Sequence, residues 1–316
     1  MALIFVSNGS TAPTYTLQGS QPLSTTYYNS PSSLPANEAG IYIDVREPIS
    51  QDDAFWRGQF GMLLKLGNHT DIVWKGGQIE GTFPANTSWD AMHNVYGMTF
   101  DNAYSLTVQY VRQHNVGDAF NVNPGCDEFI FADNWCSWTR DNAFQNDFGC
   151  GGAVQDNLFD YSFVPYSSRP YSATVPDNSA KVVYFHNNLV RLTPMLTSNP
   201  GQFGPGRFWK LDNSSQAGWP GHPRDPKLSL VNNIFRTDAA SVCCGDYLIP
   251  PMSRCSESSG NIMVWGGQGP FPKPAELASN PGFTLTTDTS VWDNAKAAWV
   301  AAHNDQMHFG EIPFPP

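Results

Sequence analysis

Charge is scarce in this chain of 316 residues. Asp, Glu, Lys and Arg make up 14% of it, and 17 basic residues face 28 acidic ones. The net charge of −11 and the pI near 4.9 leave no basic stripe of the kind nucleic-acid binding requires. They also disfavour an anionic polymer, unless a local basic cluster or a cation intervenes. No run of about 18 apolar residues occurs, so no membrane-spanning helix is expected. The first residues, MALIFVSNGST, carry no basic stretch, and their apolar run is too short for a signal peptide. Two expectations follow: a leader already removed, or exit from the cell by another route, for example inside a virus particle. The six cysteines, at 126, 136, 150, 243, 244 and 255, include no C-x-x-C pair, which argues against a zinc site of that kind. P-loop, dinucleotide fingerprint, HExxH and GxSxG motifs are all missing.

What the chain does contain is a repeated phrase, polar-Asn-apolar-apolar. It reads Asp133-Asn134-Trp135-Cys136, Asp156-Asn157-Leu158-Phe159, Asn187-Asn188-Leu189-Val190 and Asn232-Asn233-Ile234-Phe235. Each copy closes a short strand-like run: EFIFADN, GGAVQDN, KVVYFHN and KLSLVNN. The first two copies are 23 residues apart, and 118–163 can be written as two aligned lines that set Asp118 over Asp141 and Cys126 over Cys150. Short strands repeating in the low twenties point to a solenoid, because one coil cannot bury its apolar face and stacked coils can. An Asn inside each bend can then bond to the Asn above and below it.

The expected fold class is therefore all-β: a right-handed parallel β-helix, or solenoid, with lateral loops and a C-terminal capping helix. Residues 1–37, rich in Ser, Thr, Pro, Gln and Tyr, read as an extended leader. Residues 38–287 read as the β-helix, with 82–94 as a lateral loop, and 288–316 as the capping helix and tail. Val291, Trp292, Ala295, Ala298, Trp299 and Ala302 form the helical stripe, and Ser290 with Asp293 resembles a capping box. Gly 27 and Pro 25 supply the turns; aromatics at 13%, including 10 Trp, on a weakly charged polar background suit carbohydrate contact, although most rings are expected in the core. Cys136 reads as a core thiol. Cys126 and Cys150 fall near enough to bridge, and one local bridge is expected among Cys243, Cys244 and Cys255.

The densest polar cluster falls on two adjacent coils. Asp118, Asp141 and Asp147 are the candidate catalytic residues. Arg140, Arg169, His114, Asp90 and His93 are the candidate substrate-binding residues. Two carboxylates stacked about 5 Å apart cannot both ionise cheaply unless an Arg or a cation lies between them. One reading is acid/base hydrolysis of a glycan, in which an Asp of raised pKa is the acid and another is base or nucleophile. A second is lyase or epimerase chemistry, in which Arg140, Arg169 or a bound Ca2+ neutralises a uronate. The bland alternative is structural: Asp caps the bend and pairs with Arg in a groove. Asp225 with Arg224 and His222 reads as part of a Pro-rich loop, and Arg46, Lys65 and Lys75 as solvated surface.

At 140–170, RDNAFQNDFGCGGAVQDNLFDYSFVPYSSRP resembles a group of bacterial right-handed β-helix proteins in the pectate-lyase-like superfamily, which carry a phrase like RDD-x-IEND … DDxLFDGxYVGxSxRP. The likeness extends through NNLVRLTPM, KLSLVNNIFR and TDTSVWDN, about the last two thirds of the chain. It implies the fold firmly and an activity weakly, since the group is largely of unassigned function. Asn142 and Gln145 stand where that phrase has acids, which weakens the enzymatic reading. The polygalacturonase signature is absent. The function expected is an extracellular glycan-recognising β-helix, acting as a polysaccharide lyase or glycoside hydrolase in a solenoid groove. The rival is a non-catalytic structural or adhesive β-helix, such as a virion spike, a fibre or a cell-surface component. Expected partners are a polysaccharide and a second copy or assembly partner, with the protein outside the cell or on a cell or virion surface.

Overall fold

Fixed alternation of core and surface positions builds this chain into two long parallel sheets. The computed structural model describes residues 55–170, 174–199, 201–212, 223–243 and 246–303, with three short strands ahead of them, Tyr15–Thr16, Tyr27–Tyr28 and Tyr42–Asp44. Apart from the two-residue strands, most of the expected leader lies outside the described residues. The nine-stranded sheet runs in the order Tyr15–Thr16, Tyr42–Asp44, Val73–Lys75, Thr107–Gln109, Phe129–Ala132, Gly152–Gln155, Val182–His186, Lys227–Val231 and Cys255–Ser259. The spine of the fourteen-stranded sheet is Tyr27–Tyr28, Met62–Thr70, Tyr96–Tyr104, Asp118–Val122, Trp135–Gln145, Leu158–Ser168, Leu189–Leu192, Ile234–Thr237, Asn261–Trp265 and Phe283–Thr286. Parallel neighbours cannot be joined by a tight turn. Here the chain leaves one sheet for the other and returns one strand further along.

The larger sheet is bent. Trp135–Gln145 pairs through its first half with Arg112–Val116 and through its second half with Asp118–Val122. Leu158–Ser168 divides in the same way between Leu189–Leu192 and Trp209–Leu211. Inward positions repeat in register: Cys136, Phe159, Val190, Phe235 and Met263 form one buried column. Phe131, Val154, Phe185 and Leu230 form another. Aromatic edges close the gaps between them, with Phe120–Phe131 and Phe131–Phe144 centroids at 5.0 and 4.9 Å.

The repeated Asn forms the hinge between the sheets. Asn134, Asn157, Asn188, Asn233 and Asn261 are all buried and linked in series. The side-chain oxygen of Asn157 accepts from the backbone N–H and the amide of Asn134, both at 3.0 Å. The same pair of bonds repeats from Asn157 to Asn188, from Asn188 to Asn233 and from Asn233 to Asn261. The residue before each Asn is left-handed: Asp133, Asp156, Asn187 and Asn232 at φ 55–57°, and Gly260 at φ 66°. Asp and Asn tolerate that region better than most residues, which explains the polar first letter of the phrase.

Several departures from expectation concern the helices. The lateral loop carries a short helix, α1 (Trp89–Met92), capped by the Ser88 hydroxyl. A second short helix, α2, spans Pro274–Ala278. The C-terminal helix, α3 (Ser290–His303), is present, but Asp288 rather than a Ser290–Asp293 box caps it, its carboxylate accepting from Ser290 N–H. It does not lie over an end of the sheets. Trp292 and Trp299 pack on Trp135, Leu158, Leu189 and Val264, which belong to four strands of the larger sheet, so the helix runs along their outer side. Lys296 fastens it by an ion pair to Asp160 at 2.7 Å. The reason is chemical: those strand positions face outward and are apolar, and the tryptophan stripe is what shields them.

Candidate functional site

Asp118 opens its strand opposite Tyr96 on the preceding one. The following strand holds one extra residue: Val116 pairs with Thr139, but Phe120 pairs with Phe144. This bulge corrects the expected register, and Asn142, not Asp141, lies against Asp118. Asp118 Oδ1 accepts from both the backbone N–H and the side-chain amide of Asn142, each at 2.8 Å. Its Oδ2 is buried and makes no hydrogen bond. Asp141 sits beside it, 5% exposed. Burial first, then the Asp141 charge, pushes the Asp118 pKa well above the usual carboxylate range, against the pull of Asn142 and Lys210. Burial also raises Asp141. Lys210 opposes that most strongly, and the Trp89 indole N–H approaches without completing a hydrogen bond.

Lys210 is the cation of this site. Its strand pairs with Leu158–Ser168, which sets Lys210 against Ser167. Burial alone would lower its pKa, but Asp141, Asp147 and Asp118 together raise it. Tyr96 is pushed up to about 12 by burial and by the same three acids. Asp147 accepts from Ser167 Oγ at 2.6 Å, Arg169 N–H at 3.0 Å and Gln145 Nε2 at 2.9 Å. Over this cluster sits α1, with His93 stacked on Trp89 at 4.3 Å, near enough to favour the charged form of Asp141.

The arginines have other work. Arg140 donates to the carbonyls of Pro84 (3.0 Å), Ala85 (2.7 Å) and Thr87 (2.9 Å), and so clamps the lateral loop instead of balancing the acids. Arg169 pairs with Asp246 at 2.6 Å and donates through Nε to Leu211 O. His114 belongs to the other half of the bent sheet, buried, with Nδ1 2.8 Å from Ser137 Oγ. Asp90 is exposed on α1, and its carbonyl accepts from His93 Nδ1 at 2.9 Å. Asp225 and Arg224 are not loop surface: both are 3% exposed, in an ionic cluster with Asp212 and Arg254. Lys65 pairs with Asp101.

Cys126, Cys136, Cys150 and Cys255 are free thiols, so no bridge joins Cys126 to Cys150. Each of those two bonds back to the preceding pass, to Phe100 O and Asn123 O, both at 3.3 Å. Burial pushes Cys126 up to about 12 and Cys150 to about 11, which makes them inert. Cys243 is disulfide-bonded.

Lys210, Tyr96, Trp89 and Asp246 were not legible as site residues. The alternation in Phe208-Trp209-Lys210-Leu211 marks Lys210 as outward-facing. Its alignment with Ser167, however, depends on where the chain returns after the insertion that follows Arg169. Asp118, Asp141 and Asp147 do not converge their oxygens as a metal cage; among the described residues, only Asp133, Asp156 and His303 gather donor atoms in that way. No known protein family matches the chain, nor does any curated protein or solved structure. The likeness to pectate-lyase-like proteins therefore rests on the phrase at 140–170 and its continuations.

Proposed function

We propose that this chain is a right-handed parallel β-helix of the pectate-lyase-like kind that binds a linear extracellular polysaccharide and cleaves it at the Asp118–Asp141–Lys210 cluster. The observation that carries the reading is the placement of two acids of raised pKa beside one lysine, under an aromatic loop. A carboxyl whose pKa is raised by burial keeps its proton to a higher pH than an ordinary Asp and can give it to a glycosidic oxygen. Asp141 is the more accessible of the two and takes the acid role. Asp147 is the carboxylate placed to act as base or nucleophile. Lys210 would hold the charge of a uronate, the part first given to the arginines; with such a substrate the same cluster supports β-elimination.

A polar column runs beside it, with Lys65, Gln145 and Lys210 part-exposed and Thr99, Asn121 and Ser167 buried. Lys65, Thr99, Asn121, Gln145, Ser167 and Lys210 are in register on successive strands, between inward apolar neighbours.

The rival, a structural or adhesive β-helix at a cell or virion surface, is favoured by one observation. The hydrogen bonds of Arg140 and Asp147 are all made within the fold. A panel of acidic and neutral polysaccharides separates the two, read by new reducing ends and by unsaturated-uronate absorbance. Cleavage lost in Asp141→Asn and in Lys210→Met supports the enzyme. No polymer bound or cleaved leaves the structural reading.

A further inference from the structure

Asp133 and Asp156 occupy the same left-handed position in consecutive turns, just before the ladder residues Asn134 and Asn157. Ala132 and Gln155 pair in register, so the two carboxylates project from neighbouring strands about 4.8 Å apart. Among the described residues, no lysine or arginine pairs with either acid. The group that reaches them is His303, at the end of α3, 9% exposed.

The imidazole is held in one orientation. Its Nδ1 lies 2.7 Å from Trp299 O. A carbonyl only accepts, so Nδ1 carries the hydrogen, and in the neutral ring Nε2 presents a bare lone pair. That lone pair faces Asp133 Oδ1 at 3.1 Å. Two electron-rich atoms hold such a distance only with a proton or a metal ion between them. The donor atoms of Asp133, Asp156 and His303 all lie within 4.8 Å of one another. A tetrahedral ion with bonds near 2.0 Å sets its ligand atoms about 3.3 Å apart.

The surrounding contacts are those of a metal site's outer shell. Trp299 O fixes the histidine tautomer, and Gln109 Nε2 donates to the second Asp133 oxygen at 3.2 Å. Trp299 also stacks on the imidazole at 4.0 Å and donates from Nε1 to Asp156 O at 2.9 Å, so the ligands come from rigid elements. One imidazole nitrogen with two carboxylates is a donor set for a borderline divalent metal, whereas Ca2+ and Mg2+ prefer oxygen alone. We infer that Asp133, Asp156 and His303 form a site for a divalent transition metal, with Zn2+ as the best fit, which staples the end of α3 to two turns of the Asn ladder. This is separate from the acid–lysine cluster and stands whether or not that cluster is catalytic.

The test uses the full chain, stripped with a chelator and titrated with Zn2+ by calorimetry, with Ca2+ and Mg2+ alongside. The expected result is one saturable Zn2+ site that raises the melting temperature, with weak or no binding of the other two ions. Asp156→Asn, which keeps the side-chain shape, and His303→Gln each abolish that site, and Gln109→Ala weakens it about tenfold. Co2+ in the wild-type site should give the visible bands of a tetrahedral ion, lost in His303→Gln. Absence of saturable Zn2+ binding in the wild type overturns the inference and leaves a proton between His303 and Asp133. Undiminished binding in both Asp156→Asn and His303→Gln overturns it equally, by placing the ion elsewhere. Should either variant fail to fold, the other and the Co2+ spectrum of the wild type still decide.

Discussion

Asn157 shows what a single side chain carries here. It accepts from Asn134 and donates to Asn188 Oδ1 (3.0 Å), Phe131 O (2.9 Å) and Gln155 O (2.9 Å). Truncation to Ala strands a buried N–H and buried carbonyls, so Asn157→Ala is expected to lower unfolding free energy by about 3 kcal/mol or more, measured by chemical denaturation. Asp225 supplies a pH effect of opposite origin. Burial pushes its pKa up to about 6 in spite of the Arg254 ion pair. A carboxyl whose folded pKa lies above the unfolded value of about 3.9 stabilises the fold below that value and loses the contribution as pH rises through about 6. The loss between about pH 4 and pH 6 amounts to about 3 kcal/mol for a shift of roughly two units. Asp225→Asn is expected to flatten the stability profile across that window, even though it weakens the fold by leaving Arg254 without its partner. An unchanged slope in denaturation midpoint against pH contradicts this.

At the scale of elements, the lateral loop is held by one guanidinium. Arg140→Met removes three charge-assisted bonds to loop carbonyls and is expected to expose 82–94 to protease while the sheets keep their circular dichroism. The α3 helix depends on Trp299, 6% exposed; Trp299→Ala is expected to cost about 3–5 kcal/mol and to raise hydrogen exchange in 290–303 first. Much of this layer was readable beforehand. The phrase marked Asn134, Asn157, Asn188 and Asn233 as a ladder because Asp or Asn tolerates the left-handed bend and each Asn can bond to the next. Asn261 was hidden because Gly260, free to adopt the same left-handed φ, replaces the polar letter. The spacing of 23 aligned Trp135 with Leu158, but an equal count failed for Asp118, since a bulge adds a residue without altering the apolar pattern. The α3 stripe was visible; what it covers was not, because an apolar helix face fits an open end or an apolar outer wall equally well.

For the whole molecule, parallel strands stacked in register turn a one-dimensional repeat into long outward columns, and one of these ends at the acids and Lys210. Site residues were only partly legible for the same reason. Asp118, Asp141 and Asp147 are close in sequence and were found together, whereas Lys210 and Asp246 arrive after insertions that no period counts through. Buried like charges destabilise a fold, so a cluster of this kind costs stability. At pH 8, Asp141→Asn removes a carboxyl whose ionisation burial opposes, and is expected to melt no lower than the wild type. The most direct measurement is therefore paired: polysaccharide cleavage from mildly acidic to neutral pH, and melting temperature at pH 8, for the wild type and Asp141→Asn. The account predicts cleavage by the wild type alone, with the variant inactive and at least as stable. A wild type that cleaves and binds no polymer, with a variant that melts lower, would contradict it.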